Sequence, residues 1–279
     1  MKKVFTQLLT AVILMTASNI FAQIDTPAPS PFCKIEQKVG LTNVTLEYSR
    51  PGVKGRELFV DVEAFGKIWR TGANASTKIT FSDDVTLEGH KVPAGTYAIY
   101  SIPDPINWTI MLYKDLTLGG NVSKYNKEEE FLRFKVKGHT RTNFVESFKI
   151  DIDDLKDNSA TLSLKWGNYY VPFKLGVSYR EKVMKQIEKA IAGTTRSEYY
   201  SAAKFYFDEN KDLGKAYEWV KIANQKGERY WQLRLQARIE AKLGMKDKAK
   251  MSIQKSSALA KSAGNDGYAK ANKKIEAGF

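Results

Sequence analysis

The chain has 279 residues, of which 44 are Lys or Arg and 31 are Asp or Glu, so its formal net charge is +13. A hydrophobic content of 43% excludes a disordered chain, because it supplies enough apolar surface for a core. The single cysteine excludes an internal disulfide and a zinc site built on several thiolates. The length predicts one or two domains.

Residues 1–22 have the pattern of a secretory signal peptide. Lys2 and Lys3 precede an apolar run at 8–15, and Ala22 supplies a small residue before the predicted cleavage site. The run is too short for a membrane-spanning helix, which needs about 20 apolar residues. We therefore expect an exported protein, periplasmic or extracellular, with no transmembrane segment after cleavage.

Residues 23–31 are rich in proline and are predicted to be a linker. Cys33 follows directly. In an oxidising compartment an unpaired thiol is either buried or paired between chains, and we favour burial because free cysteines are usually buried.

Charge and periodicity both change near residue 177. Residues 23–176 carry 20 basic and 19 acidic residues, whereas residues 177–279 carry 22 basic and 12 acidic residues. A composition break of this size predicts two domains, a β domain at 32–177 and a basic helical domain at 178–279.

Before residue 177, apolar and polar residues alternate in short runs, which is typical of half-buried strands. The runs are 41–48, 77–81, 97–102, 108–113, 131–136, 144–152, 161–166 and 170–177. Turn-forming Pro, Gly, Asn and Asp residues separate them. This spacing predicts an antiparallel β-sandwich, and a barrel is the alternative.

After residue 177 the apolar residues recur with helical spacing. Helices are predicted at 180–192, from 195 onward, and at 212–226, 231–244, 247–264 and 268–277. Thr195 and Glu198 have capping-box spacing, and Asp212 is a predicted N-cap. Similar residues recur at intervals of 34 or 35, as in Gly193 and Gly227, which predicts tetratricopeptide-like helical hairpins. A small helical bundle is the alternative.

Two stretches rich in Gly and Arg, at 48–56 and 65–74, are the most distinctive part of the sequence. Together with 92–100 they resemble the secreted bacterial family called domain of unknown function 2911, over about residues 29–175. The Trp-Arg-Thr-Gly-Ala-Asn run at 69–74 is the most specific part of the match. The resemblance implies a secreted β-rich domain, and the family name assigns no activity. Segment 60–64 departs from the family pattern and is predicted to be a loop.

These stretches also supply the candidate ligand-binding residues. They are Arg50, Lys54, Arg56, Trp69, Arg70 and Asn74. Arginine grips carboxylates and phosphates with two parallel hydrogen bonds, and an exposed Trp ring stacks on a sugar or a cation. The residue types therefore predict an anionic or sugar ligand. In the structural alternative, Trp69 belongs to the core and Arg70 pairs with a buried acid such as Glu47 or Glu57.

No metal site, cofactor or catalytic residue is predicted. The acidic run 151–158 has oxygen ligands for calcium but lacks the Gly and the final Glu of an EF-hand loop, so we favour a solvated turn. His90 and His139 lack the spacing of a zinc protease, and the chain contains neither a nucleophile elbow nor a P-loop. Enzymatic activity is therefore disfavoured.

The basic helical region predicts attraction to acidic surfaces, and for an exported protein we expect a protein or peptide partner rather than nucleic acid. The favoured hypothesis is a non-enzymatic envelope protein in which a β-sandwich scaffold or ligand-binding module precedes a helical protein-interaction domain. In the alternative, the protein is an enzyme or binding protein for a sugar or an anionic polymer. That ligand would contact Arg50, Arg56, Trp69, Arg70 and Asn74.

Overall fold

The computed structural model describes residues 26–191 and 195–279. The chain divides between Ser178 and Tyr179 into two compact units, a β unit followed by a helical unit. This order confirms the predicted two-part layout. The predicted signal peptide at 1–22 and the predicted helix end at Gly193 lie outside the described residues.

Two antiparallel sheets make up the β unit. The strands are β1 (Phe32–Val39), β2 (Thr42–Ser49), β3 (Ala73–Phe81), β4 (Val85–Leu87), β5 (His90–Val92), β6 (Gly95–Ile102), β7 (Asn107–Tyr113), β8 (Glu130–Lys137), β9 (His139–Asp153) and β10 (Ser159–Val177). The larger sheet has the order β1-β2-β3-β6-β7-β8, and the smaller has the order β5-β4-β10-β9. Short 3₁₀ helices at Val122–Lys124 and Lys127–Glu129 lie in the connection between β7 and β8.

One hydrophobic core is shared by the two sheets. Leu46 and Ile79 enter it from the six-stranded sheet, and Ile150 and Leu164 enter it from the four-stranded sheet. Successive side chains of a strand point to opposite faces, so each sheet keeps a second face that points away from this core. The arrangement is an antiparallel β-sandwich, as the alternating pattern predicts.

Two features of the β unit differ from the sequence prediction. The runs predicted as separate strands at 161–166 and 170–177 form one continuous strand, β10, whose register shifts on both sides of Gly167. Gly167 has a φ of 54°, and this left-handed residue lets the strand continue through the irregularity. Strands β1, β4 and β5 were not predicted: β4 and β5 have three residues each, and β1 is an edge strand with polar residues at half of its positions. Cys33 on β1, expected to be buried, is half-buried against the core.

Six helices form the helical unit within the described residues. They are α1 (Arg180–Ile191), α2 (Arg196–Asp208), α3 (Leu213–Gln225), α4 (Tyr230–Lys242), α5 (Lys246–Ser262) and α6 (Asp266–Glu276). Each helix packs against the next along the chain. None of these described helices is long and apolar enough to cross a membrane.

The predicted helix starts are confirmed by local hydrogen bonds. The Thr195 hydroxyl accepts from Glu198 N at 3.3 Å, and Glu198 Oε2 accepts from Thr195 N at 2.6 Å, which completes a capping box. Asp212 caps α3 by accepting from Lys215 N at 3.0 Å. Helices α2 and α4 begin 34 positions apart, which keeps the predicted spacing. The likeness to tetratricopeptide repeats stays a prediction.

Candidate ligand-binding site

Two of the predicted ligand-binding cations bond to the protein's own backbone across long sequence separations. Arg50 Nε donates to the carbonyl oxygen of Phe148 at 2.9 Å. Lys54 Nζ donates to the carbonyl oxygen of Pro29 at 3.2 Å. Each bond ties the irregular segment after β2 to another part of the β unit, so both side chains have a structural task.

Arg56 bonds within its own loop. Its Nη2 donates to the Gly52 carbonyl at 2.7 Å, and its Nε donates to the Val53 carbonyl at 3.0 Å. An irregular segment leaves its carbonyls without strand or helix partners, and such groups need donors when they are partly buried. Arg56 is therefore a brace of the loop, and two of its donor nitrogens are engaged.

Trp69 lies in the core and has only 1% of its surface exposed. Its ring stacks on Trp166 with a centroid distance of 5.4 Å and meets Phe148 edge-on at 5.1 Å. The indole Nε1 donates to the Gly72 carbonyl at 2.9 Å. A ring that stacks on a ligand needs an exposed face. The predicted ligand contact of Trp69 is therefore corrected to a core role.

Directly after Trp69 the backbone turns through unusual conformations. Thr71 and Asn74 have φ values of 55° and 60°. Positive φ is rare for a β-branched residue such as Thr71, and it persists only where the surroundings hold it in place. The Thr71 hydroxyl, which is fully buried, donates to Ser101 Oγ at 2.9 Å. The turn buries Trp69, whereas Arg70 and Asn74 lie against the connection between β7 and β8.

Arg70 is the predicted cation with the most unusual surroundings. Its Nη1 lies 4.0 Å from Glu63 Oε1, and its side chain is 26% exposed. The guanidinium packs on Gly120, where a Cβ atom would lie 2.7 Å from Nη1. Its Nε is buried and has no hydrogen-bond partner in the described part of the chain. The acid beside Arg70 is Glu63, and not Glu47 or Glu57 as the sequence suggested.

The pair of Arg70 and Glu63 is a loose one. Burial raises the pKa of the Glu63 carboxyl, and the nearby Arg70 charge opposes that rise. At a separation of 4.0 Å the guanidinium donates no close hydrogen bond to this carboxylate. Arg70 therefore retains donor capacity that a carboxylate or phosphate oxygen can use.

A pocket of about 150 Å³ opens on the six-stranded sheet, near the ends of β2 and β3. We call it the outer-face pocket, and it is lined by Phe32, Glu47, Tyr48, Ser49, Ala75, Ser76 and Lys78. Asn74, the last of the predicted residues, borders it. Asn74 Nδ2 donates to Ser49 Oγ at 3.1 Å and to the Ser30 carbonyl at 3.3 Å.

Ser76 contributes a buried hydroxyl to this pocket. Its side chain is 2% exposed, and Oγ makes no hydrogen bond of normal geometry within the described residues. The hydroxyl approaches that of Tyr100 closely enough to oppose the rise that burial produces in the Tyr100 pKa. The Tyr100 hydroxyl itself donates to the Gly119 carbonyl at 2.8 Å. Ser76 is therefore available for a better hydrogen-bond partner.

Strand register explains why these residues meet. Leu46 on β2 pairs with Ile79 on β3, and both side chains enter the core. The next pair, Glu47 and Lys78, must then point to the opposite face. Ser76 lies two positions before Lys78 on β3. The register shifts beyond Glu47, so that Ser49 pairs with Ala73, and the pocket opens at this irregularity. The pocket is thus a product of non-local pairing between β2 and β3.

Aromatic residues cover the adjoining part of this face. The rings of Tyr113 and Tyr125 stack with a centroid distance of 4.5 Å, and Tyr100 meets Tyr125 edge-on at 5.3 Å. Tyr125 belongs to the connection between β7 and β8, so this connection folds onto the sheet. It supplies Gly119 to Tyr100 and Gly120 to Arg70.

Sequence reasoning missed Ser76, Lys78 and Glu63 as candidate site residues. The alternation in β3 does indicate that Ser76 and Lys78 share a face, but a polar residue on an outward face is normally just solvated. Glu63 lies in the segment predicted only as a loop. Tyr100 was noted only as part of a family motif. The sequence does not reveal the strand pairing and the loop contacts that bring these residues together.

The acidic run considered for calcium is bonded to lysines instead. Asp151 Oδ2 lies 2.7 Å from Lys165 Nζ and 2.9 Å from Lys149 Nζ, and Asp153 Oδ2 lies 2.9 Å from Lys165 Nζ. Within the described ranges, no three His, Cys, Asp or Glu side chains are grouped as metal ligands would be.

Residues 30–175 match the family described as "Protein of unknown function (DUF2911)", and the match spans just over half of the chain. The chain belongs to this family. The resemblance drawn from the three motifs is therefore confirmed for the β unit. The DUF2911 region contains every residue of the outer-face pocket, as well as Arg70, and the helical unit lies beyond it. No curated protein and no solved structure matches the chain.

Proposed function

We propose that this chain is an exported, non-enzymatic binding protein. Its β unit holds a small anionic ligand that carries hydroxyl groups, such as a sugar acid or a sugar phosphate, in the outer-face pocket. Its helical unit binds a protein partner. Export is supported by the signal-like sequence of residues 1–22, and partner binding is supported by the basic helical composition.

The buried Ser76 hydroxyl carries the proposal for the β unit. This hydroxyl has only the approach to Tyr100 described above, and a ligand oxygen that bonds to it would add a hydrogen bond worth about 0.5–1.5 kcal/mol. Lys78 adds a positive charge beside it, opposite the Glu47 carboxylate that also lines the pocket. The pocket volume of about 150 Å³ is below the range of about 300–1,000 Å³ for drug-sized ligands, so a single sugar ring or a smaller anion fits best.

The two histidines lie away from the pocket, which favours a binding role over catalysis by a serine–histidine pair. The ring of His90 lies 6.2 Å from that of Phe134, and the ring of His139 lies 6.2 Å from that of Tyr170. Neither histidine belongs to the pocket lining. Serines of the pocket therefore have no imidazole among the residues that line it, and imidazole is the most common base for a serine nucleophile.

Ligand-dependent melting of the full chain tests the proposal. The probes are glucuronate, glucose 6-phosphate and neutral glucose at millimolar concentrations. A ligand at 100 times its Kd stabilises the native state by about 2.7 kcal/mol. We expect the two anionic probes to raise the Tm more than glucose does. Ser76→Ala should reduce the shift for all ligands that bind, and Lys78→Met should reduce it for the anionic probes.

Lys91→Met is the matched control, because it removes the same charge from β5 of the other sheet, where Lys91 is exposed. The control should keep the full ligand-induced shift. An equal loss in Lys91→Met and Lys78→Met would contradict the proposed pocket. So would the absence of any shift with all three probes. Arg70→Ala tests whether Arg70 also contacts the ligand. If the variant folds and its ligand-induced rise in Tm is smaller, the site extends to Arg70.

Export is tested by fractionating the cells and measuring the mass of the protein outside the cytoplasm by mass spectrometry. The proposal expects cleavage between Ala22 and Gln23. Recovery of the intact chain from the cytoplasm alone would contradict the proposed location without bearing on the pocket.

A further inference from the structure

One face of α4 carries three cations in succession. Arg234, Arg238 and Lys242 are separated by four positions each, so they lie along the same side of the helix. We call this row the α4 cation stripe. Arg238 and Lys242 are exposed, and Arg234 is half-buried.

Aromatic rings of neighbouring helices support the stripe. Arg234 Cζ lies 3.2 Å from the ring centroid of Tyr268 on α6. Arg238 Cζ and Lys242 Nζ each lie 4.6 Å from the ring centroid of Phe207 on α2. These cation–π contacts orient the charges but do not neutralise them.

No carboxylate neutralises the stripe among the residues that the structure describes. Arg234 donates to Asn272 Oδ1 at 2.6 Å and to the Tyr268 carbonyl at 2.8 Å, which are both uncharged acceptors. Lys242 reaches Asn210 Oδ1 at 3.4 Å. Like charges four positions apart destabilise a helix, and the helical unit already has a large positive charge. The positive potential of the stripe therefore favours the binding of an anion.

The spacing of the charges matches an extended peptide. Residues four positions apart on a helix are separated by about 6 Å along the axis. In an extended chain, side chains on one side recur every second residue, at about 6.6–6.8 Å. Acidic residues at alternate positions of a peptide would therefore meet successive cations of the stripe. Arg238 can hold a carboxylate with two hydrogen bonds, and Lys242 can pair with the next one as a point charge.

Two tyrosines flank this surface and can donate to the same peptide. Tyr200 on α2 and Tyr268 on α6 are both half-buried, and burial raises the pKa of each phenol. Both hydroxyls therefore keep their protons at neutral pH and can donate to carboxylate or backbone oxygens.

We propose that the α4 cation stripe is the docking site of an extended acidic peptide segment with carboxylates at alternate positions. The proposal rests on the partner-binding role proposed above for the helical unit, and it names the residues and the chemistry of the partner. It does not depend on the outer-face pocket.

The test is fluorescence anisotropy of the full chain with a labelled Glu-Ala-Glu-Ala-Glu peptide at low ionic strength. We expect binding that weakens as salt is added, because the contacts are between charges. The double variant Arg238→Gln/Lys242→Gln should bind about tenfold more weakly or worse, since it removes two charge-assisted contacts. Arg234 is left intact because its bonds to Asn272 and Tyr268 hold α6 against α4.

The double variant Lys246→Gln/Lys250→Gln is the matched control. It removes the same charge at the same spacing from exposed positions on the neighbouring helix α5. This control should change the affinity by less than about twofold, because distant surface charges contribute little at a specific contact. An equal loss in both double variants would overturn the stripe as the site. Helical circular dichroism should be the same in both variants.

Three further probes decide the partner chemistry. A Glu-Glu-Glu-Ala-Ala peptide should bind more weakly than the alternating one, and equal or tighter binding would overturn the spacing argument. Binding of polyphosphate without binding of the alternating peptide would overturn the peptide as partner. Binding of a neutral Gln-Ala-Gln-Ala-Gln peptide instead of the acidic one would overturn this inference and leave the partner-binding role of the helical unit in place.

Discussion

The β unit and the helical unit use the same type of side chain in opposite ways. In the β unit, Arg50 donates to a backbone carbonyl of β9, and Arg56 donates to two carbonyls of its own irregular segment. In the helical unit, Arg238 and Lys242 lie over the ring of Phe207 and meet no carboxylate among the described residues. The first pair braces loops, and the second pair presents its charge to solvent.

The backbone around each cation explains the difference. Helix carbonyls accept hydrogen bonds from within the helix, so an arginine on a helix face finds few free backbone acceptors nearby. An irregular segment such as 50–56 has carbonyls without partners, and a nearby arginine satisfies them. A cluster of arginines in a Gly-rich loop is therefore weaker evidence for a ligand site than a row of cations on a helix.

Substitution of a tryptophan in each unit should produce the largest difference in stability between the two units. Trp69 is stacked in the core of the β unit, whereas Trp231 at the start of α4 is 38% exposed. Trp69→Ala should lower the free energy of unfolding by about 3–5 kcal/mol, because it leaves a cavity in a packed core. Trp231→Ala should cost much less. Chemical denaturation measures both, and a loss below about 1 kcal/mol for Trp69→Ala would contradict its core role.

Arginine substitutions test the comparison directly. Arg50→Met removes the donor to the Phe148 carbonyl and should cost about 1–3 kcal/mol. Arg238→Met removes a surface charge and should change stability by no more than about 0.5 kcal/mol. If the two variants unfold at the same denaturant concentration, the distinction between bracing and presented cations fails.

Carboxylates provide a pH-dependent test. Burial alone would raise the pKa of Asp151, but hydrogen bonds and charges from Lys165 and Lys149 outweigh it and hold the pKa below its usual value. A folded pKa below the unfolded value of about 3.9 means that this carboxylate stabilises the β unit above that pH. The contribution is lost as the pH falls through the folded pKa.

Asp151→Asn should therefore flatten the fall of the Tm between neutral pH and about pH 3. The pair is partly exposed, so the expected effect is below about 1 kcal/mol. Thermal melts at several pH values measure it, and Asp157→Asn serves as an exposed control on the same run. An unchanged pH profile in Asp151→Asn would show that the lysines do not stabilise the carboxylate.

Salt should produce the smallest effect. Repulsion along the α4 cation stripe is worth about 0.2–0.5 kcal/mol per pair and is screened by salt. Added sodium chloride should therefore stabilise the helical unit slightly, as followed by circular dichroism at 222 nm. Arg238→Gln should reduce this gain, and Arg50→Gln should leave it unchanged. Equal salt responses in the two variants would contradict the proposed repulsion.

Local patterns predicted much of the architecture. The runs at 97–102 and 108–113 predict β6 and β7, although both faces of these strands are buried, the second one beneath the connection between β7 and β8. The capping box joins Thr195 and Glu198, which are only three positions apart. Its hydrogen bonds therefore depend on the local sequence and not on distant parts of the chain. The change of charge near residue 177 coincides with the division between the two units.

Other elements depend on how each strand pairs with its neighbour. β1 is polar at half of its positions, and all of its residues pair with β2. β10 continues through Gly167 because β9 shifts its register beside it. A periodic pattern does not fix the register of either pairing.

The sequence by itself determined the order of β and α units, most of the strands and helices, the family of the β unit and the basic character of the helical unit. These properties depend on residues within a few positions of one another or on composition. Only the tertiary structure decided that Trp69 belongs to the core, that Glu63 lies beside Arg70, and that Ser49, Ser76 and Lys78 share a pocket. The register between β2 and β3 joins residues about thirty positions apart, and a hydrophobic pattern indicates which face of a strand is buried but not which strand lies beside it.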